Sequence, residues 1–136
     1  MKGMKIIVIG IEKGEGEGMN EQEINRRIAE YMGLNVQYQE GVGHYIEGNN
    51  LNGNTAIHDI PDYCHDLNAV WKVEEKLLRY NEANDYFYIL QDIVNAEYDY
   101  DDWGTENIST YGIYQITHAT ARQKCEAIIK VLEGKE

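Results

Sequence analysis

The segment ITHATARQKCEAIIKVLEG (116–134) contains residues whose types and spacing suit the binding of an anion. Thr120 precedes a predicted helix, and Gln123 lies three positions later, which is the spacing of a capping box. Arg122 falls in the first turn, where free backbone N–H groups and the positive end of the helix dipole attract phosphate-like anions. We therefore predict either an anion site formed by Arg122, Thr120 and His118, or a capped helix that carries a surface arginine.

A second set of cations lies on a predicted helix over residues 66–81. Lys72, Lys76 and Arg79 are three and four positions apart, so they share one face of that helix. Together with Arg122, and with Arg26 and Arg27, they are candidates for lining a pocket that takes a polyanionic ligand. The alternative is that they pair with neighbouring carboxylates as surface ion pairs of little energy.

Residues 97–107 (EYDYDDWGTEN) form an acidic and aromatic segment, predicted as a loop or a bent hairpin. The spacing of a calcium loop fails here, because Trp103 occupies a position that needs an oxygen ligand and Thr110 occupies the position of a bidentate Glu. We expect either a contact surface for a basic partner protein or a solvated turn. The candidate protein-binding residues are Glu97, Asp99, Asp101, Asp102 and Trp103.

The sequence contains no motif that identifies an enzyme, and we expect no catalytic residue and no cofactor. No nucleophile elbow, phosphate-binding loop or dinucleotide fingerprint is present. The segment HDIPDYCHD (58–66) holds two His, one Cys and three Asp, but it lacks the paired spacing of a structural zinc site. We therefore expect no metal there.

Charge is the strongest compositional feature of the 136 residues. The chain has 24 Asp and Glu against 12 Lys and Arg, for a net charge of −12. Such a surface repels nucleic acid and anionic membranes, so direct nucleic-acid binding is not expected. A partner reached through charge would be basic, for example a nucleic-acid-binding protein whose substrate this chain imitates. The alternative is that the acidic surface only maintains solubility.

The remaining composition indicates a small protein of the cytoplasm. No apolar run approaches the roughly 20 residues that span a membrane, and the first residues lack a cleavage site for a signal peptide. Cys64 and Cys125 match no paired spacing, so both are expected as reduced thiols.

Periodicity predicts an α/β fold in one domain, with a single β-sheet covered by helices. We predict a strand over 5–11, a flexible linker over 12–18 and a helix that starts at Asn20 and closes at Gly33. Met19 and Met1 both remain candidates for the native start. The other predicted strands cover 34–38, 44–46 and 109–117, and the other helices cover 66–81, 84–95 and 120–133. The inward face of the second helix is assigned to Leu67, Val70, Trp71, Leu77 and Leu78, and Phe87 is assigned to that of the third.

Three segments, MNEQEINRRIAEYMG, IPDYCHDLNAVWKVEEKL and ATARQKCEAIIKVLEG, resemble in that order the phage ABA sandwich domain family. The resemblance covers residues 19–134 and leaves 1–18 outside. It implies an α/β sandwich made by a phage inside a bacterial cell, with no catalytic signature.

On this basis we expect a non-enzymatic accessory protein of the bacterial cytoplasm. The first expectation is a counter-defence sponge, meaning a protein that sequesters a nucleotide-derived immune signal. A sponge is expected to be a homo-oligomer, because subunit interfaces provide deep pockets. The alternatives are an acidic inhibitor of a basic host protein and a structural phage protein without a ligand.

Overall fold

The computed structural model describes residues 19–49, 53, 55–80 and 82–134. The predicted strand over 5–11 and the linker over 12–18 lie outside these residues. In chain order the elements are α1 (Glu21–Tyr31), β1 (Val36–Gln39), β2 (Gly43–Asn49), β3 (Thr55–His58), a 3₁₀ turn (Tyr63–His65), α2 (Leu67–Arg79), α3 (Ala83–Ile93), β4 (Tyr98–Tyr100), β5 (Glu106–Ile108), α4 (Thr110–Thr117) and α5 (Ala121–Glu133).

Helix α1 begins and ends where the sequence predicts. The Asn20 side chain accepts the backbone N–H of Glu23 at 2.8 Å. At the other end Gly33 has φ of 84°, and the N–H groups of Gly33 and Leu34 donate to the carbonyls of Glu30 and Ala29. This is a Schellman ending, which needs the left-handed conformation that glycine adopts at little cost. Local chemistry therefore fixes both helix ends.

The α/β class is confirmed, but the described strands form two small antiparallel sheets where one sheet was predicted. β1, β2 and β3 pair in sequence order, with Val36 opposite Ile46 and Ile46 opposite His58. β4 and β5 form a separate hairpin, with Tyr98 opposite Ile108. β3 was missed, because turn-forming residues precede it and its four residues show little apolar alternation.

The predicted strand over 109–117 is wrong, since this segment forms helix α4. The Ser109 hydroxyl caps the helix by accepting the N–H of Gly112 at 3.0 Å. Gly112 is buried, and Gln115 and Ile116 are half-buried on the same side. The aromatic and β-branched residues that suggested a strand instead lie on the exposed side of α4.

The core lies among the helices and the 3₁₀ turn. α5 contacts α3, α1, α2 and the 3₁₀ turn, and its side chains Ala121, Cys125, Ile128 and Ile129 are buried. The other large buried side chains are Ile24, Ile28, Val70, Val73, Leu77, Tyr86 and Leu90.

The inward face predicted for α2 is partly wrong. Val70 and Leu77 are buried, whereas Leu67, Trp71 and Leu78 are 47%, 62% and 63% exposed. At 100° per residue, these three exposed side chains form a second apolar stripe beside the buried one. Only one stripe meets α5, and the pattern alone does not say which. On α3, Phe87 is likewise exposed.

Candidate functional site

Negative charge is concentrated in one part of the chain. Between Arg79 and Arg122 there are eight Asp and Glu residues and no Lys or Arg, and these eight equal two thirds of the net charge of −12. This part comprises α3, the β4–β5 hairpin and α4. A field of one sign over adjoining elements attracts cationic partners and repels anionic ones.

Exposed aromatic side chains occupy the same part of the structure. Trp103 is 90% exposed, and six of the seven tyrosines between Arg79 and Arg122 are exposed, the exception being Tyr86 in the core. We use the name acidic-aromatic surface for the exposed acidic, aromatic and apolar side chains of the hairpin and α4, which are Tyr98, Asp99, Tyr100, Asp101, Asp102, Trp103, Glu106, Tyr111, Ile113 and Tyr114. Large exposed aromatic groups beside charge are typical of protein interfaces.

A polar junction fixes the hairpin to α4. The N–H of Ser109 donates to the carbonyl of Glu97 at 3.0 Å, and the Ser109 hydroxyl lies 2.8 Å from the Glu97 carboxylate. The N–H of Glu97 donates to the Gln115 side chain at 2.8 Å. Ser109 is buried, and these bonds join the start of β4, the end of β5 and the middle of α4. The Glu97 carboxylate, predicted to bind a partner, thus also holds this junction.

Gly112 allows the junction to close. A Cβ atom at this position would lie 2.3 Å from the Glu97 carbonyl oxygen and 2.7 Å from Cγ1 of Ile108. Both distances are far below van der Waals contact, so no larger residue fits without movement of the backbone. The hairpin and α4 are therefore held as one unit.

The hairpin turn is organised by Asp101. Its Oδ1 accepts the N–H groups of Trp103 at 2.9 Å and Thr105 at 2.8 Å, and Gly104 follows with φ of 78°. This is an Asx-type turn, in which a carboxylate replaces missing backbone partners. The turn leaves the Trp103 ring in solvent. The side chains of Asp99 and Asp102 are exposed and make no hydrogen bond or ion pair with any described residue.

Aromatic rings stack along the exposed side of α4. Tyr111 and Tyr114 lie 5.9 Å apart with 12° between their planes, and Tyr114 and His118 lie 4.0 Å apart with 25°. His118 Nδ1 also lies 3.0 Å from the carbonyl of Tyr114. His118, predicted as part of an anion site, therefore packs on Tyr114.

The predicted capping box at α5 is present. Gln123 N–H donates to the Thr120 hydroxyl at 3.0 Å, and Thr120 N–H donates to the Gln123 side chain at 2.9 Å. The Arg122 guanidinium lies 2.9 Å from Glu21 and 3.1 Å from Glu126. Two carboxylates thus surround the charge that was predicted to bind an anion.

The structure does not bring Arg122 and Lys76 together. Lys76 Nζ donates to the carbonyl of Tyr31 and lies 4.1 Å from the centroid of the Tyr31 ring. Tyr31 ends α1 and Glu21 begins it, so the two cations contact opposite ends of a helix about 15 Å long. Lys72 and Arg79 are exposed and pair with no described residue.

Sequence reasoning missed a cleft between α1 and the β1–β2 hairpin. Its volume is about 630 Å³. One wall is formed by the first turns of α1, including Arg26, and the other contains Tyr38 and His44. These two residues are cross-strand partners whose ring centroids lie 4.9 Å apart. Because the walls of this cleft come from separate segments of the chain, no local sequence motif indicates it.

The segment 58–66 holds an ion-pair cluster instead of paired ligands. His65 Nδ1 lies 2.9 Å from Asp62, and His65 Nε2 lies 3.5 Å from Glu21. The hydrogen bond with Asp62 raises the pKa of His65, and the charge of Asp62 adds to the effect. Within the described residues no three His, Cys, Asp or Glu side chains are grouped to hold a metal ion. The same part of the chain contains no helix of the length and apolarity that crossing a membrane requires.

No family model, curated protein or solved structure matches this chain. The resemblance to the phage ABA sandwich domain family therefore stays a prediction.

Proposed function

We propose that this protein is a non-enzymatic accessory protein that binds a basic partner protein through the acidic-aromatic surface. The observation that supports the proposal most is the coincidence of charge and aromatic exposure. The sequence between Arg79 and Arg122 contains eight Asp and Glu and no Lys or Arg, and the same part of the chain exposes Trp103, Tyr100 and Tyr111.

The two kinds of side chain contribute differently to binding. Tyr and Trp are the residues that most often carry binding energy at interfaces, because a large rigid ring buries much area with little loss of entropy. Their faces also attract Lys and Arg through cation–π interactions. The carboxylates raise the rate of encounter with a cationic surface and exclude anionic competitors. Asp99, Asp102 and Trp103 suit these roles, since all three are exposed.

The junction at Ser109 makes the surface rigid before a partner arrives. Ordering a loop upon binding costs free energy, and a surface that is already fixed avoids that cost. The bonds from Ser109 and Gln115 to Glu97, with the close approach of Gly112, hold the hairpin against α4. If the same exposed rings and carboxylates lay on a loosely attached loop, part of the binding free energy would be lost in ordering that loop.

The partner that fits this surface is a protein whose own ligand is a polyanion, such as a nucleic-acid-binding protein. Carboxylates arranged on a rigid surface then occupy the sites that phosphates occupy in its substrate. In the phage setting implied by the sequence resemblance, the partner is a protein of the bacterial host, met in the cytoplasm.

Affinity capture of host proteins, followed by binding measurements on the purified partner, tests the proposal. The informative variants are Trp103→Ala and the double variant Asp99→Asn with Asp102→Asn. Since neither carboxylate bonds to a described residue, the double variant changes charge without disturbing the fold. We expect binding about tenfold weaker for each. Excess double-stranded DNA should also compete with this protein for the partner.

The matched control removes two charges elsewhere. Glu40 and Glu75 are exposed carboxylates in the β1–β2 turn and on α2, and the double variant Glu40→Gln with Glu75→Gln has the same net charge. It should bind like the wild type. Equal weakening by both double variants would reduce the effect to net charge and contradict the proposal.

A second candidate function is the nucleotide sponge, and the observation that favours it is the cleft at α1. Its volume of about 630 Å³ falls in the range of small-ligand sites, roughly 300–1,000 Å³. Tyr38 offers a ring for stacking and Arg26 a cation, although Glu23 and Glu30 lie 3.8 Å and 3.1 Å from that cation.

Native mass spectrometry with a panel of cyclic and ADP-ribose-derived nucleotides tests this candidate and the expected homo-oligomer together. Binding that is lost in Tyr38→Ala but kept in Tyr88→Ala, an exposed tyrosine on α3, would support the cleft. Loss of binding only in Arg122→Ala would favour the anion site at α5. If the protein binds no nucleotide of the panel, the sponge function is excluded.

A further inference from the structure

The two cysteines of the chain meet in the core. Cys64 and Cys125 are 61 positions apart in the sequence, and each thiol lies close enough to the other to shift its pKa. Cys64 lies in the 3₁₀ turn and Cys125 in α5, and these two elements pack against each other. The side chains are 2% and 0% exposed and belong to one hydrophobic cluster. The pair is present as two thiols.

The surroundings make the two thiols unequal. The hydrogen bond from Cys125 lowers the pKa of Cys64, and the nearby Arg122 charge acts in the same direction, although burial and the charges of Glu21 and Asp62 oppose it. The pKa of Cys125 is raised, because its thiol gives up that hydrogen bond when it ionises and because it is buried. Cys64 is therefore the better nucleophile, and Cys125 is the thiol that keeps its proton.

We propose that Cys64 and Cys125 form an oxidation site at which hydrogen peroxide produces an intramolecular disulfide. The Cys64 thiolate attacks one oxygen of the peroxide, the O–O bond breaks, and hydroxide leaves with the electron pair. The Cys125 thiol then transfers its proton and attacks the sulfur of the Cys64 sulfenic acid, the S–O bond breaks, and water leaves. Two thiols lose two electrons and two protons in total, and one peroxide becomes two waters.

Burial selects the class of oxidant. With 2% and 0% exposure, the sulfurs are reachable by a molecule the size of hydrogen peroxide after a small local opening. Exchange with oxidised glutathione needs a bulky disulfide to align with the attacking sulfur, which the packed core prevents. The site therefore responds to peroxide far faster than to a glutathione disulfide.

The disulfide would join the 3₁₀ turn to α5 and close a long loop that includes α2, α3, the β4–β5 hairpin and α4. A cross-link over such a loop stabilises a protein mainly by restricting its unfolded chain. Oxidation is therefore expected to raise the melting temperature by on the order of 10 °C. This inference is independent of the proposed partner, because neither cysteine belongs to the acidic-aromatic surface.

The experiment is intact-mass analysis of the folded, reduced protein after treatment with hydrogen peroxide or with oxidised glutathione. Peroxide should yield a monomer that has lost two hydrogen atoms, with a cross-linked peptide containing Cys64 and Cys125 and a higher melting temperature that dithiothreitol reverses. Oxidised glutathione should leave the mass unchanged over the same period. Two thiols that stay titratable after peroxide treatment, or a disulfide between two copies of the chain, would overturn the proposal.

Serine variants test the order of the steps. In Cys125→Ser, Cys64 should gain one oxygen as a sulfenic acid, which dimedone traps when the oxidised protein is denatured in its presence. In Cys64→Ser, Cys125 should stay unmodified, and the opposite pattern would overturn the assignment of Cys64 as nucleophile. If a variant fails to fold, denaturing the wild type in dimedone early in the reaction locates the first oxidised sulfur.

Discussion

Nη1 of Arg122 lies 2.9 Å from Oε2 of Glu21, and this contact joins the first turn of α5 to the first turn of α1. The same guanidinium lies 3.1 Å from Glu126 on its own helix. An arginine near a helix N-terminus is unfavourable to the helix dipole, but the two carboxylates offset that effect. The contact gives Arg122 a structural role that the sequence did not indicate.

Arg122→Ala should lower the free energy of unfolding by about 1 kcal/mol, a modest value because both partners are more than a third exposed and screened by solvent. Arg26→Ala should cost about 0.5 kcal/mol or less, since the described partners of Arg26 are Glu23 and Glu30 of its own helix. Urea unfolding at low and high salt measures the loss of stability in both variants. The loss for Arg122→Ala should be smaller at high salt. An unchanged free energy of unfolding for Arg122→Ala would show that the contact does not stabilise the fold.

Gly112→Ala should destabilise the protein by about 1–3 kcal/mol, because the added methyl group overlaps the Glu97 carbonyl. Gly134→Ala is the control, since a Cβ there meets its nearest atom at an ordinary 3.5 Å. That variant should be neutral or slightly more stable. Thermal unfolding compares the two. Equal effects would contradict the close approach of the hairpin to α4.

The buried hydroxyl of Tyr86 donates to Glu74 at 2.6 Å, and Lys124 lies 3.2 Å from the same carboxylate. Tyr86→Phe removes the neutral hydrogen-bond donor and leaves the Glu74 carboxylate with Lys124 as its remaining partner of the two. We expect a loss of about 1–2 kcal/mol in denaturant unfolding. Tyr88→Phe, on an exposed ring of the same helix, should stay within about 0.5 kcal/mol of the wild type. A larger effect at Tyr88 than at Tyr86 would refute this network.

The pKa of His65 should lie above its ordinary value of about 6.5, because protonated His65 pairs with Asp62 and Glu21. Its stabilising contribution is complete below the unfolded pKa and disappears as the pH rises through the folded pKa. Titration of the imidazole protons by NMR gives the value directly.

Asp62→Asn should lower the pKa of His65, whereas Asp59→Asn, at an exposed neighbour that forms no bond with His65, should leave it unchanged. A His65 titration that is insensitive to Asp62→Asn would show that the pair does not form in solution.

Much of the secondary structure follows from local chemistry in the sequence. Asn20, Gly33 and the Thr120 capping box mark helix ends where predicted, since each satisfies backbone groups within a few residues of itself. The acidic hairpin was also one of the predicted forms for its segment. Such features need no knowledge of distant residues.

Features that depend on two surfaces meeting were decided by tertiary structure. Residues 109–117 look like a strand by composition, yet the Ser109 cap and the contact of Gly112 with Glu97 favour α4. The choice between the two apolar stripes of α2 depends on which one reaches α5. Local patterns carry no information on either point.

The sequence by itself determined an acidic α/β domain, the caps of α1 and α5 and the acidic, aromatic composition of residues 97–107. Only the tertiary structure decided that Arg122 is surrounded by carboxylates and that Cys64 meets Cys125. It also placed a cleft between α1 and the β1–β2 hairpin. Caps and turns involve neighbours in the chain, whereas ion pairs, thiol pairs and cavities depend on the packing of segments far apart in it.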